Sequence, residues 1–268
     1  MIPISDADVQ RRAFPVVNVT LIAINALVFL YELSLGGGGL LWGGGGGLDI
    51  TVFFLKWGFI PDELSRGIPF EILPTLSGPV DITSALPTWA TIFSSMFIHG
   101  GLVHFAGNMM FLWVFGDNIE GRLGHVKYLL FYVGTGAVAT LSHFAVDPNS
   151  QAPLVGASGA IAGIMGAYLL LYPFNRIRAL VIFFFITVIE LQAMVFLGIW
   201  FLLQVINSLG AFGLAAGVNV AFMAHVGGFV AGVVLIAAYK LVIREPVWPS
   251  RHRRNPWDYW YRAGRGPD

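Results

Sequence analysis

Cysteine is absent from this 268-residue chain, and charge is scarce. Without thiols there is no disulfide framework, no thiolate metal site and no cysteine nucleophile. Lys, Arg, Asp and Glu make up 11% of the residues, against roughly 25% in an ordinary soluble domain. Fifteen basic side chains balance fifteen acidic ones, and a net charge of zero argues against nucleic acid as a partner. No H-E-x-x-H is present, which removes the usual helical zinc-hydrolase motif. Asp117 is the one acid well placed near an apolar span, where an aspartyl dyad needs two. No internal repeat is visible either, which weighs against the inverted-repeat construction of many transporters.

What the chain has instead is apolar surface, 56% of its residues. The apolar runs approach the roughly 20 residues needed to cross a ~30 Å hydrocarbon core. Lipid tolerates no unsatisfied backbone, so the runs are expected to be helices. Six are placed at about 16–35, 97–117, 126–145, 154–173, 180–207 and 222–243. The fifth is long and carries Glu190, so it is expected to tilt steeply or to begin as an interfacial segment. Arg11 and Arg12 before the first run imitate a signal peptide, but the run is too long for an h-region and no clear cleavage site follows. It is read as a retained span. The expected fold class is an all-α integral membrane protein, a bundle of six transmembrane helices.

Basic residues orient the bundle. Arg11, Arg12, Arg122, Lys127, Arg176, Arg178 and seven more from Lys240 to Arg265 fall on one side, and only Lys56 and Arg66 fall on the other. The positive-inside rule then makes both termini cytoplasmic in a multi-pass cell-membrane protein. The expected layout is a cytoplasmic N-terminus at 1–15, a membrane domain at 16–243 with a long outer loop at 36–96, and a cytoplasmic tail at 244–268. Within that loop Gly36 to Gly47 reads as flexible, Ile50 to Ile60 as interfacial and Trp89 as an interfacial anchor. The tail mixes Arg251, Arg253 and Arg254 with Trp248, Trp257 and Trp260, which suits membrane lipid as a partner as well as plain solvation.

Polar residues inside spans are costly, hence candidates for function. The second span carries His104 and Asn108, the fourth opens on Gly156-Ala157-Ser158-Gly159 and the sixth on Ala224-His225-Val226-Gly227-Gly228. These three spans all enter from the outer face, so the residues lie at one depth, roughly 6–10 Å inside at 1.5 Å per residue. His104 and Asn108, four apart, share a helix face. Ser158 is the candidate nucleophile and His225 its base. Asn108, His104 and the Ser158 N–H are the candidate oxyanion donors. Gly159 with Gly163, and Gly228 with Gly232, would let the fourth and sixth helices approach closely. Taken alone, a serine among glycines is more often a packing residue, and an intramembrane histidine more often structural or part of a proton relay. Asp117 and Glu120 beside Arg122 are explained by an ion pair or a cap.

Together these residues resemble the rhomboid family of intramembrane serine proteases, from about Trp89 to Gly232. The resemblance rests on His99, His104 and Asn108, on Gly156 to Gly159, on His225 with Gly228 and Gly232, and on Gly116, Glu120 and Gly121 to Gly124. It implies a six-helix rhomboid-like core whose Ser158–His225 dyad cleaves transmembrane protein substrates near the outer face without metal or organic cofactor. It implies the same role for Asn108 and His104 as oxyanion-stabilising residues, and a fifth helix discussed as a substrate gate. Two departures stand out. Ala90 follows Trp89 where the family often has arginine, and Ala162 stands where many members stack an aromatic on the histidine. The alternatives are a catalytically inactive rhomboid-like protein that binds membrane clients, and a proton-coupled transporter using His104 and His225.

Overall fold

The computed structural model describes residues 1–8, 14–36, 38–42, 46–182, 186–213 and 222–249. In chain order its elements are strand β1 (Ile2–Asp6), helices α1 (Val16–Gly36), α2 (Gly38–Trp42), α3 (Leu48–Trp57) and α4 (Pro61–Arg66), and the hairpin β2 (Ile72–Thr75) and β3 (Gly78–Asp81). Then come the short α5 (Thr91–Ser94), α6 (Leu102–Leu123), α7 (His125–Val146), α8 (Ser158–Leu171), the strands β4 (Arg176–Ile182) and β5 (Ile186–Gln192), α9 (Ala193–Gly213) and α10 (Phe222–Val242).

Among the described residues, α1, α7 and α10 are each long and apolar enough to cross a membrane. The helical segment 88–97 and α6 make a fourth candidate, bent by 83° at the break between them. Two shorter apolar helical stretches are α8 (Ser158–Leu171) and the Ala193–Ser208 part of α9. The positions expected for the first, third and sixth spans therefore coincide with helices to within a residue or two. Arg11, Arg12, part of the glycine-rich stretch, most of the 208–221 loop and the tail from 250, including Arg251, Arg253, Arg254, Trp257 and Trp260, lie outside the described residues.

The fold is not all-α, and the fifth span does not begin at 180. Residues 176–182 and 186–192 form the antiparallel pair β4 and β5, and β1 adds an antiparallel third strand against β4. Val, Ile and Thr dominate this run, and their branched side chains favour a pleated strand over a helix. Glu190 lies in β5 opposite Arg178, whose Nε donates to it at 2.9 Å, and Arg176 Nη1 donates to the other oxygen at 3.2 Å. The acid is thus satisfied in a sheet rather than placed in a span. The outer loop is structured too: α3, α4 and β2–β3 fill it, and Asp81 is held down to about 2 by the Thr83 hydroxyl and N–H and by Lys56.

Close helix contacts build the core. Gly124, with φ +79, makes the single-residue reversal between α6 and α7, a conformation that a side chain would strain. Glu120 is not paired with Arg122. Its two oxygens accept the N–H groups of Val17 at 2.9 Å and Asn18 at 2.7 Å, capping α1 from the end of α6. Arg122 bonds Glu245 instead. On the sheet side, Asp6 of β1 accepts from Tyr168, Asn118 and Asn175, which ties the first strand to α8 and α6.

Candidate active site

The Ser158 side chain stands at the first turn of α8, and its position is set from two directions. The segment ahead of it pairs with the outer loop: Leu154 N–H donates to Phe59 O at 2.7 Å, and Phe59 N–H to Leu154 O at 3.1 Å. Gly156 N–H then donates to Ser95 O at 2.9 Å. Gly156 has φ +128, and a Cβ there would lie 2.8 Å from His104 Cε1 and 2.9 Å from its Nε2. Only glycine lets the His104 ring sit against the approach to Ser158. No side chain caps the start of α8, so its first N–H groups have no partner within the helix.

On the other side, α8 and α10 pack backbone to backbone. A Cβ on Gly228 would fall 2.1 Å from Gly159 O, and one on Gly232 would fall 1.9 Å from Gly163 O. That approach brings His225, near the start of α10, to α8, and its Nε2 lies 2.7 Å from Ser158 Oγ. Both side chains are half-buried. A serine hydroxyl within hydrogen-bond distance of an imidazole nitrogen is the arrangement a general base needs.

His104 and Asn108 lie one turn apart on α6. Gly100 N–H donates to His104 Nδ1 at 3.3 Å, which makes Nδ1 the acceptor and leaves the ring proton on Nε2, the nitrogen at the Gly156 edge. The buried Asn108 amide nitrogen has no hydrogen-bond partner among the described residues. A buried amide donor without a partner is costly unless something else meets it. Both residues thus hold N–H groups ready for an acceptor. The structure brings Ser158, His225 and His104 to one locality on α8, α10 and α6, with Asn108 one turn further along α6. His99 is fully buried behind them, its ring 5.2 Å from that of His104, with its backbone N–H bonded to Glu32 of α1 at 3.0 Å.

Two residues of the site were not singled out in the sequence, and both come from α9. Gln204 Oε1 lies 2.9 Å from His225 Nδ1. The Trp200 ring centroid lies 6.0 Å from that of His225, tilted by 42°. A glutamine inside an apolar span is the signal that could have marked the first. Ala162 on α8 is fully buried and offers no ring, so an aromatic neighbour reaches the histidine from another helix. Beside Ser158 a cavity of about 20 Å³ is lined by residues including Met96, Gly136, Ala139 and Thr140, enough for about one water. Among the described residues, no three His, Asp or Glu side chains group as metal ligands.

A family model described as the Rhomboid domain matches residues 87–241. The Rhomboid protease GluP of Bacillus subtilis is 31% identical over 195 residues, covering 72% of this chain and 34% of that protein. RHOMBOID-like protein 5 of Arabidopsis thaliana is 30% identical over 151 residues, 54% of this chain and 42% of that one. The presenilin-associated rhomboid-like protein of Bos taurus, mitochondrial, is 33% identical over 85 residues, 31% of this chain and 22% of that one. The chain thus matches less than half the length of each of these relatives.

Proposed function

This chain belongs to the rhomboid family and is a multi-pass membrane protein, and from that premise we propose that it is an intramembrane serine endopeptidase cleaving transmembrane segments of other membrane proteins near the outer face. The observation that carries the reading is the 2.7 Å contact between His225 Nε2 and Ser158 Oγ. Ser158 Oγ attacks the scissile carbonyl carbon while its proton passes to His225 Nε2. The carbonyl oxygen becomes an oxyanion, met by Asn108 Nδ2–H, His104 Nε2–H and the Ser158 N–H, donors worth roughly 3–4 kcal/mol each in such sites. Collapse breaks the C–N bond, and His225 returns the proton to the departing amine. Water, deprotonated by the same nitrogen, hydrolyses the ester and frees Ser158.

Substrate class follows from the surroundings. An amide inside a helix is shielded, so the substrate segment must unwind locally. The cavity beside Ser158 accepts little more than a methyl group, which favours small residues before the cut. A six-helix core, with α8 and α9 as its short fourth and fifth spans, and cytoplasmic termini complete the proposal. The charge asymmetry of the loops supports this orientation.

A fluorophosphonate probe tests the site directly. Labelling is expected on Ser158 and is expected to vanish in Ser158→Ala and to drop sharply in His225→Ala. Labelling that persists in Ser158→Ala would show that the reactive serine lies elsewhere. An inactive client-binding relative would take up no label in either protein.

A further inference from the structure

The base is held at both ring nitrogens, and the second hold is supplied by α9. We infer that Gln204 is a positioning residue that fixes the tautomer and orientation of His225, an inference that rests on the proteolytic reading above. A glutamine Oε1 only accepts, so the 2.9 Å contact with Nδ1 places the neutral ring's proton on Nδ1. The lone pair is then on Nε2, which faces Ser158 Oγ at 2.7 Å. The opposite tautomer would present an N–H to the serine and could not take its proton. Four residues before Gln204 on the same face, Trp200 lies beside the imidazole. The ring is therefore gripped at its edge and flanked on one side by a single helical turn of α9. No aromatic comes from α8, where Ala162 is buried against the core.

The identity of the residue also makes physical sense. A carboxylate in this apolar setting would carry the cost of an unneutralised charge, whereas an amide oxygen orients the imidazole without one. Gln204 does not touch substrate. Its effect passes through His225, so it should alter turnover and leave substrate capture nearly unchanged.

The full-length protein in lipid vesicles is compared with Gln204→Met, which keeps the length and apolar volume but loses the acceptor, with Gln204→Glu, which keeps an acceptor oxygen at the same reach, and with Leu202→Met. Leu202 is 57% exposed on α9, so its variant controls for perturbation of the helix. With a transmembrane model substrate, Gln204→Met is expected to lower kcat about 10-fold or more with KM within about 2-fold, the loss of one orienting hydrogen bond. Gln204→Glu is expected to recover most of that loss, and Leu202→Met to match wild type. Nitrogen-15 spectra of histidine-labelled protein are expected to show His225 protonated at Nδ1 in wild type and mixed between tautomers in Gln204→Met. Equal kcat in wild type and Gln204→Met, equal losses in the two Gln204 variants, or a wild-type ring protonated at Nε2 would overturn the inference. The spectra decide the tautomer without any cleavage, so they separate failure here from failure of the proteolytic reading, which Ser158→Ala tests.

Discussion

Asn108 does little for the fold and has a specific part in the proposed reaction. Its side chain is buried, yet its amide nitrogen meets no acceptor within the described protein, so a structural role does not account for it. If that N–H waits for the oxyanion, Asn108→Ala should lower kcat by about 10²–10³. Its thermal unfolding midpoint should stay near wild type, because no bond within the protein is lost. Cleavage kinetics and unfolding of the same preparation check both halves. These residues were legible in the sequence because a polar side chain in an apolar span is rare, and because the spacing of His104 and Asn108 put them on one face. Gln204 met the first condition and still went unread. Its meaning depends on a partner 21 residues away across a loop, and no local spacing encodes that distance.

Between elements, the junction that matters is the crossing of α8 and α10. A Cβ on Gly232 would lie 1.9 Å from Gly163 O, and that obstacle is backbone, which cannot turn aside; one on Gly163 would meet the Thr135 side chain of α7 instead, at 2.4 Å. Gly232→Leu should therefore destabilise the protein by about 1–3 kcal/mol or more and separate His225 from Ser158. A fall in unfolding temperature together with loss of fluorophosphonate labelling is the expected result. The glycine pairs were readable from their four-residue spacing. The β4–β5 pair was not, because a short continuous apolar run looks the same in a buried strand and a buried helix. Its branched residues were the available sign, and Glu190 was the second: opposite Arg178 in an antiparallel pair it has a partner, whereas in a span it would have had none. The third strand, β1, was hidden for another reason. It pairs with residues about 170 positions later, and Pro3 within it argues locally against a strand.

For the molecule as a whole, the proposed topology sets the proteolytic site near the outer face and both termini inside. The lack of cysteine gives a clean test, since any introduced thiol is the only one. Leu76, fully exposed at the tip of the β2–β3 hairpin, should react from outside intact cells with a membrane-impermeant maleimide once changed to cysteine. Arg244→Cys, just past α10, should react only after permeabilisation. The reverse pattern would invert the orientation and place the site at the inner face. Hydropathy and the placement of basic residues were enough to suggest this layout, because both act on whole segments and do not depend on which side chains touch.

The most direct test of the central claim uses purified wild-type and Ser158→Ala protein, reconstituted in lipid vesicles with a single-span substrate bearing small residues near its outer end. The account predicts that wild type cuts the substrate once within or at the edge of that span and that Ser158→Ala leaves it intact. Cleavage at the same bond by Ser158→Ala would contradict it.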